Sequence, residues 1–181
     1  GLCVKWIERR SVRLTEERAV NFTCITAFCL ILSGQPGTAP WFMMRAARAE
    51  ELAKDSNQKE AMEHVSEMEK AAANLRPEDS KELWTLFVQW KKGVCYFWLG
   101  DYGQSVATLK GIETNELNRP FRHYICRDLA EAYLDSGRSK TGEPYLQMAL
   151  DLGAEWEKKV DKRQFKDAEQ LRIQLLQVRC K

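Results

Sequence analysis

The stretch GVCYFWLGDYGQSVATL, residues 93–109, decides the fold. An apolar run ends in Leu99-Gly100-Asp101, and a second helical pattern starts at once behind it. Glycine reaches the left-handed conformation that closes a helix, so LGDYG (99–103) reads as a tight turn. So short a connection forces the two helices to lie antiparallel. Small side chains on either side of the turn, Gly93 and Ser105, then let the helix axes approach closely.

The same spacing recurs when the chain is aligned on Gly34, Gly100 and Gly137. Seven residues before each stands Ala27, Gly93 or Ala130, and four before stands Leu30, Tyr96 or Tyr133. Five after stands Ala39, Ser105 or Gly142; nine after, Met43, Leu109 or Leu146; twelve after, Ala46, Ile112 or Ala149. Working outward, helical periodicity predicts helices over 16–33, 38–54, 57–75, 80–99, 103–113, 119–136, 139–154 and 158–179. Breaks fall at SGQPGT (33–38), RPED (76–79), TNELNRP (114–120) and DSGRS (135–139), with Asp79 or Ser80 expected as an N-cap. No run alternates as a strand does, so the expected class is all-α.

Residues 93–109, DLAEAYLDSGRSKTGEPYLQMAL (128–150) and, less closely, AFCLILSGQPGTAPWFMMRAA (27–47) resemble tetratricopeptide repeats. The resemblance implies antiparallel hairpins stacked as a right-handed array in a single domain over 1–181, with repeats near 20–53, 86–117 and 123–154. The spacing of 37 between Gly100 and Gly137 departs from the family period of about 34 residues. The 57–75 helix, carrying Glu60, Glu63 and Glu67, lacks the signature, but Ala61, Met62, Val65, Met68, Ala72 and Leu75 share one face, so it is expected to pack as an unpaired helix. The 158–179 helix, with Trp156, Val160, Ala168, Leu171, Leu175 and Val178 as an apolar stripe, reads as a cap.

In such arrays the first helix of each hairpin lines a concave groove. Carried over by distance from the turn glycine, that groove would hold Phe87, Trp90, Val94, Phe97 and Trp98, then Tyr124, Arg127, Glu131, Leu134 and Asp135. The first repeat would add Asn21, Cys24, Phe28, Ile31 and Leu32. The family's carboxylate-clamping groove needs Lys, Asn and Arg at these places. Here they are mostly aromatic and aliphatic, so an amphipathic helix or short apolar segment, with Arg127 paired to an acidic side chain, is the expected occupant. Two other readings stand beside this one: the aromatics are core under the chain's own helices, or they line a small-ligand pocket.

Composition narrows the function classes. Of 181 residues, 28 are basic and 26 acidic, and the signs are interleaved, so nothing draws the chain to nucleic acid or an anionic membrane. Trp84, Trp90 and Trp98 near Lys91 and Lys92 could stack on RNA bases, but their helical spacing puts them with the core. The apolar run Ala19–Leu32 is short for a bilayer and lacks signal-peptide flanks, so it reads as a core helix. Six cysteines form no CxxC pair and are expected as reduced thiols in a cytoplasmic setting. Only His64 and His123 could join them at a metal, and His123 with Cys126 does not complete a site, so no metal or cofactor is expected. No GxSxG, P-loop, HExxH or GxGxxG occurs, and no catalytic residues are assigned.

The expectation is therefore a non-enzymatic module that binds a protein or peptide and can self-associate. Because the chain starts at Gly1, it is compatible with the sensing or oligomerising part of a larger bacterial regulator. A free-standing assembly or secretion chaperone is the alternative, and a small-molecule sensor or enzyme the third reading.

Overall fold

The computed structural model describes residues 35–118 and 121–157. Among these the fold is all-α: α1 (Ala39–Lys54), α2 (Gln58–Ala73), α3 (Lys81–Trp98), α4 (Tyr102–Ile112), α5 (Arg122–Asp135) and α6 (Ser139–Glu157). Short 3-10 turns at Pro77–Asp79 and Glu116–Asn118 join the pairs, and no strand occurs among the described residues. The expected helices at 16–33 and 158–179, and the groove positions Asn21 to Leu32, lie outside the described residues.

The chain divides into two units, Gly1–Met44 and Arg45–Lys181, with the boundary inside α1. In the first, Thr38 folds back on the Gln35 carbonyl through both its amide and its hydroxyl, and its own carbonyl then accepts the Phe42 amide at 3.0 Å. Pro40 stands in the first turn of α1, where a missing N–H costs nothing. Trp41 and Phe42 are buried edge to face, with ring centroids 5.2 Å apart, while Met43 and Met44 are exposed.

The second unit is built on one turn used three times. After α3, the Gly100 amide bonds the Phe97 carbonyl at 3.0 Å and the Asp101 amide bonds that of Tyr96 at 2.9 Å. After α5, Gly137 bonds Leu134 at 3.0 Å and Arg138 bonds Tyr133 at 2.8 Å. This is the Schellman arrangement, and both glycines take the positive φ it requires, 78° and 76°. After α1 the same pair of bonds forms with a serine at the centre: Ser56 to Ala53 at 3.0 Å and Asn57 to Leu52 at 2.8 Å, with Ser56 at φ 61°. The residue following the turn then caps the next helix in two of the three cases. Asn57 accepts the Glu60 amide and Asp101 accepts the Gln104 amide.

Counting from Ser56 brings the small-residue pattern into register with the other two turns. Ala49 matches Gly93 and Ala130, Ala61 matches Ser105 and Gly142, and Val65 and Met68 match the large residues that follow; all of these are buried. The count from Gly34 instead put Met43 in the place of Leu109 and Leu146, yet Met43 is 63% exposed where those two are 0% and 3%. So α1 and α2 are joined by a turn of the same kind, closed without glycine. Arg45, midway along α1, reaches His64 at 2.7 Å and Glu67 at 2.8 Å on α2, as antiparallel neighbours do. Whether residues 20–33 also pair with α1 lies outside the described residues.

Close approach at the crossings is measurable. A methyl group on Gly93 would sit 2.6 Å from the Leu109 Cγ, and one on Gly142 would sit 3.1 Å from the Ala130 carbonyl oxygen. Above the α5–α6 crossing, Tyr133 and Tyr145 stack at 5.6 Å, and the Cys126 thiol meets the Met148 sulfur at 3.4 Å. Between hairpins, α2 packs along α3 and α4 along α5. The 57–75 helix, expected to pack through one apolar face, turns Ala61, Val65, Met68 and Ala72 of that face inward. Glu69 on α2 hydrogen-bonds the Lys92 ammonium on α3 at 2.8 Å, which raises the lysine pKa above its usual value. Ser80, expected as an N-cap, does precede α3, but at φ 59° its side chain makes no cap bond.

Candidate functional site

The carried-over groove residues lie on α3 and α5, and they fall into two groups. The first is a closed polar and aromatic network. Trp90 is 7% exposed, and its indole Nε1 donates to Asp128 Oδ2 at 2.8 Å. The other carboxylate oxygen of Asp128 accepts Nε and Nη2 of Arg127 at 3.0 and 2.7 Å. Tyr124 stacks on the Trp90 ring at 5.9 Å, and the Arg127 guanidinium lies over the Tyr124 ring at 5.3 Å. Phe121 packs on Trp90 from the start of α5, and Phe87 meets both rings edge to face. A buried indole N–H and a buried carboxylate each need a partner. Here each supplies the other, and the bond ties α3 to α5.

Lys91 extends this network toward α1. Its ammonium lies 4.2 Å over the Trp90 ring and pairs with Glu50 at 2.5 Å. Both side chains are about four-fifths removed from water, at 18% and 21% exposure, so salt screens this pair less than a surface one. Val94 and Glu131, each one turn further along its helix, are also buried, at 8% exposure.

The second group stands at the C-terminal end of α3, about 11 Å along the axis from Trp90 at 1.5 Å per residue. Phe97 and Trp98 meet edge to face at 5.0 Å, and Tyr102 packs on Phe97 at 5.7 Å from the first turn of α4. Phe97 and Tyr102 are half-buried, and Trp98 is 38% exposed. The Lys54 ammonium, from the last turn of α1, lies 4.8 Å above the Trp98 ring. Lys54 and Trp98 occupy the same place, two residues before their turn residues Ser56 and Gly100. Leu134 and Asp135 are half-buried at the end of α5.

No family model, curated protein or solved structure matches the chain.

The structure thus joins Phe87, Trp90, Tyr124 and Arg127 in one cluster and sets Phe97 and Trp98 apart in another. Sequence reasoning did not single out Phe121, Tyr102, Asp128, Lys54 or Glu50. Asp128 hid behind its neighbour Arg127, although a buried Trp90 called for an acceptor. Lys54 and Glu50 were passed over because the first hairpin was counted from Gly34. In chemical terms the buried cluster is saturated: both oxygens of Asp128 take donors from the chain itself. Burial pushes the Cys95 and Cys126 thiols up to about 12, so neither supplies a thiolate near neutral pH, and both are free of disulfides. His123 is buried against the Tyr124 ring at 3.6 Å, and His64 bonds Arg45. Among the described residues, no group of three or more His, Cys, Asp or Glu could hold a metal ion, and no helix is long and apolar enough to cross a membrane.

Proposed function

We propose that this chain is a protein-interaction module of tetratricopeptide-like hairpins, which docks a protein or peptide segment along the face that α1, α3 and α5 share. The observation that carries this reading is the contact between successive first helices. Glu50 and Lys54 of α1 reach Lys91 and Trp98 of α3, and Trp90 of α3 reaches Asp128 of α5. With α2 against α3 and α4 against α5, this is the neighbour pattern of a hairpin array whose first helices line one face. On that face, Trp90, Arg127 and Asp128 hold the helices in place. Trp98, with Phe97 and Lys54 beside it, is the part that a partner can reach. Tryptophan, tyrosine and arginine dominate the binding energy of protein interfaces, and a half-exposed Trp braced by Phe97 is a preformed anchor.

Affinity capture with the wild-type chain and with Trp98→Ala, followed by mass spectrometry and a titration of the captured protein, tests the proposal. Loss of an anchor residue costs about 2 kcal/mol, or about thirtyfold in Kd. The expected result is a specific partner that binds wild type and is lost by the variant, while circular dichroism and the melting curve show a folded variant. Retention of the same partner by Trp98→Ala at unchanged affinity would refute the assignment.

A further inference from the structure

We draw no further inference here: the strongest candidate, the half-exposed aromatic patch of Phe97, Trp98 and Tyr102 beside Lys54 at the α3–α4 turn, belongs to the face already proposed, and nothing in the structure shows what covers it.

Discussion

One chemical change, Gly→Ala, should have opposite signs at two glycines of the same hairpin. In a helix interior, alanine is favoured over glycine by about 0.5–1 kcal/mol because less backbone freedom is lost. At Gly111 in α4, a methyl group would have nothing within 4 Å, so Gly111→Ala should gain that amount. At Gly93 in α3, the same methyl would lie 2.6 Å from Leu109 Cγ and 2.7 Å from Cδ2. Unstrained carbon contacts lie at about 3.5–4.0 Å, so the overlap is close to 1 Å. Leu109 is fully buried and has no open side to retreat to. Overpacking of this kind costs about 1–3 kcal/mol, more than the propensity gain, and Gly93→Ala should destabilise by about 1–2 kcal/mol. Urea unfolding of both single variants measures this, and a third substitution makes it specific. Leu109→Ala alone should cost about 2–5 kcal/mol. In that background the obstructing side chain is gone, and Gly93→Ala should become stabilising. A Gly93→Ala variant as stable as Gly111→Ala, or additivity of Gly93→Ala with Leu109→Ala within about 0.5 kcal/mol, would refute the crossing described here.

The other predictions concern the same hairpins and their thiols. The Ser105 hydroxyl is fully buried with no hydrogen-bond partner, in the place that Ala61 and Gly142 hold elsewhere. Ser105→Ala should therefore stabilise by about 1 kcal/mol in denaturant unfolding, and a loss of stability would mean that the hydroxyl is bonded. Ser56 holds a conformation that costs a non-glycine residue about 1–2 kcal/mol, so Ser56→Gly should gain about 0.5–1 kcal/mol after glycine's own entropic cost. A destabilised Ser56→Gly would show that its hydroxyl matters more than its backbone. Cys95 and Cys126 should resist alkylation at pH 8 until denaturant is added, as mass spectrometry of the peptides would report. Since their folded pKa values are raised from 9.0 to about 12, the neutral thiol is favoured in the native state. Their contribution to stability is thus whole below pH 9 and is lost as pH climbs toward 12.

Two of the three hairpins were legible because their turns are spelled with glycine. Gly100 and Gly137 announce a left-handed residue, and the small residues at fixed distances from them announce the crossings. The α1–α2 hairpin has every other mark, from Ala49 and Ala61 to Val65 and Met68, but a serine stands at its turn. The left-handed conformation is a backbone state with a modest energy, so a well-packed hairpin can impose it on serine. A reading that looks for glycine counts from Gly34, 22 residues earlier, and passes over the turn at Ser56. The pattern of small residues was the more faithful guide, because a methyl in the wrong place at a crossing costs more than a serine in a strained turn.

The candidate site was legible to the same depth and no further. Distance from the turn names side chains of α3 and α5, and four of them, Phe87, Trp90, Tyr124 and Arg127, touch one another in the structure. It does not say what stands opposite them. That depends on how neighbouring hairpins pack, and so on contacts 38 residues apart such as Trp90 with Asp128. The groove reading turns Arg127 toward an occupant. Its guanidinium instead folds back on the adjacent Asp128, because a carboxylate fixed by a buried indole is a nearer and better-desolvated partner than any surface group. The energetic consequence separates two roles on one face. Removing any member of the Trp90, Asp128 and Arg127 set strands a buried polar group and loosens α3 from α5. Trp98 is 38% exposed, and the Lys54 ammonium over its ring belongs to an exposed side chain. The ring can exchange that contact for another without stranding a buried polar group, and for that reason the docking proposed for this face is assigned to Trp98.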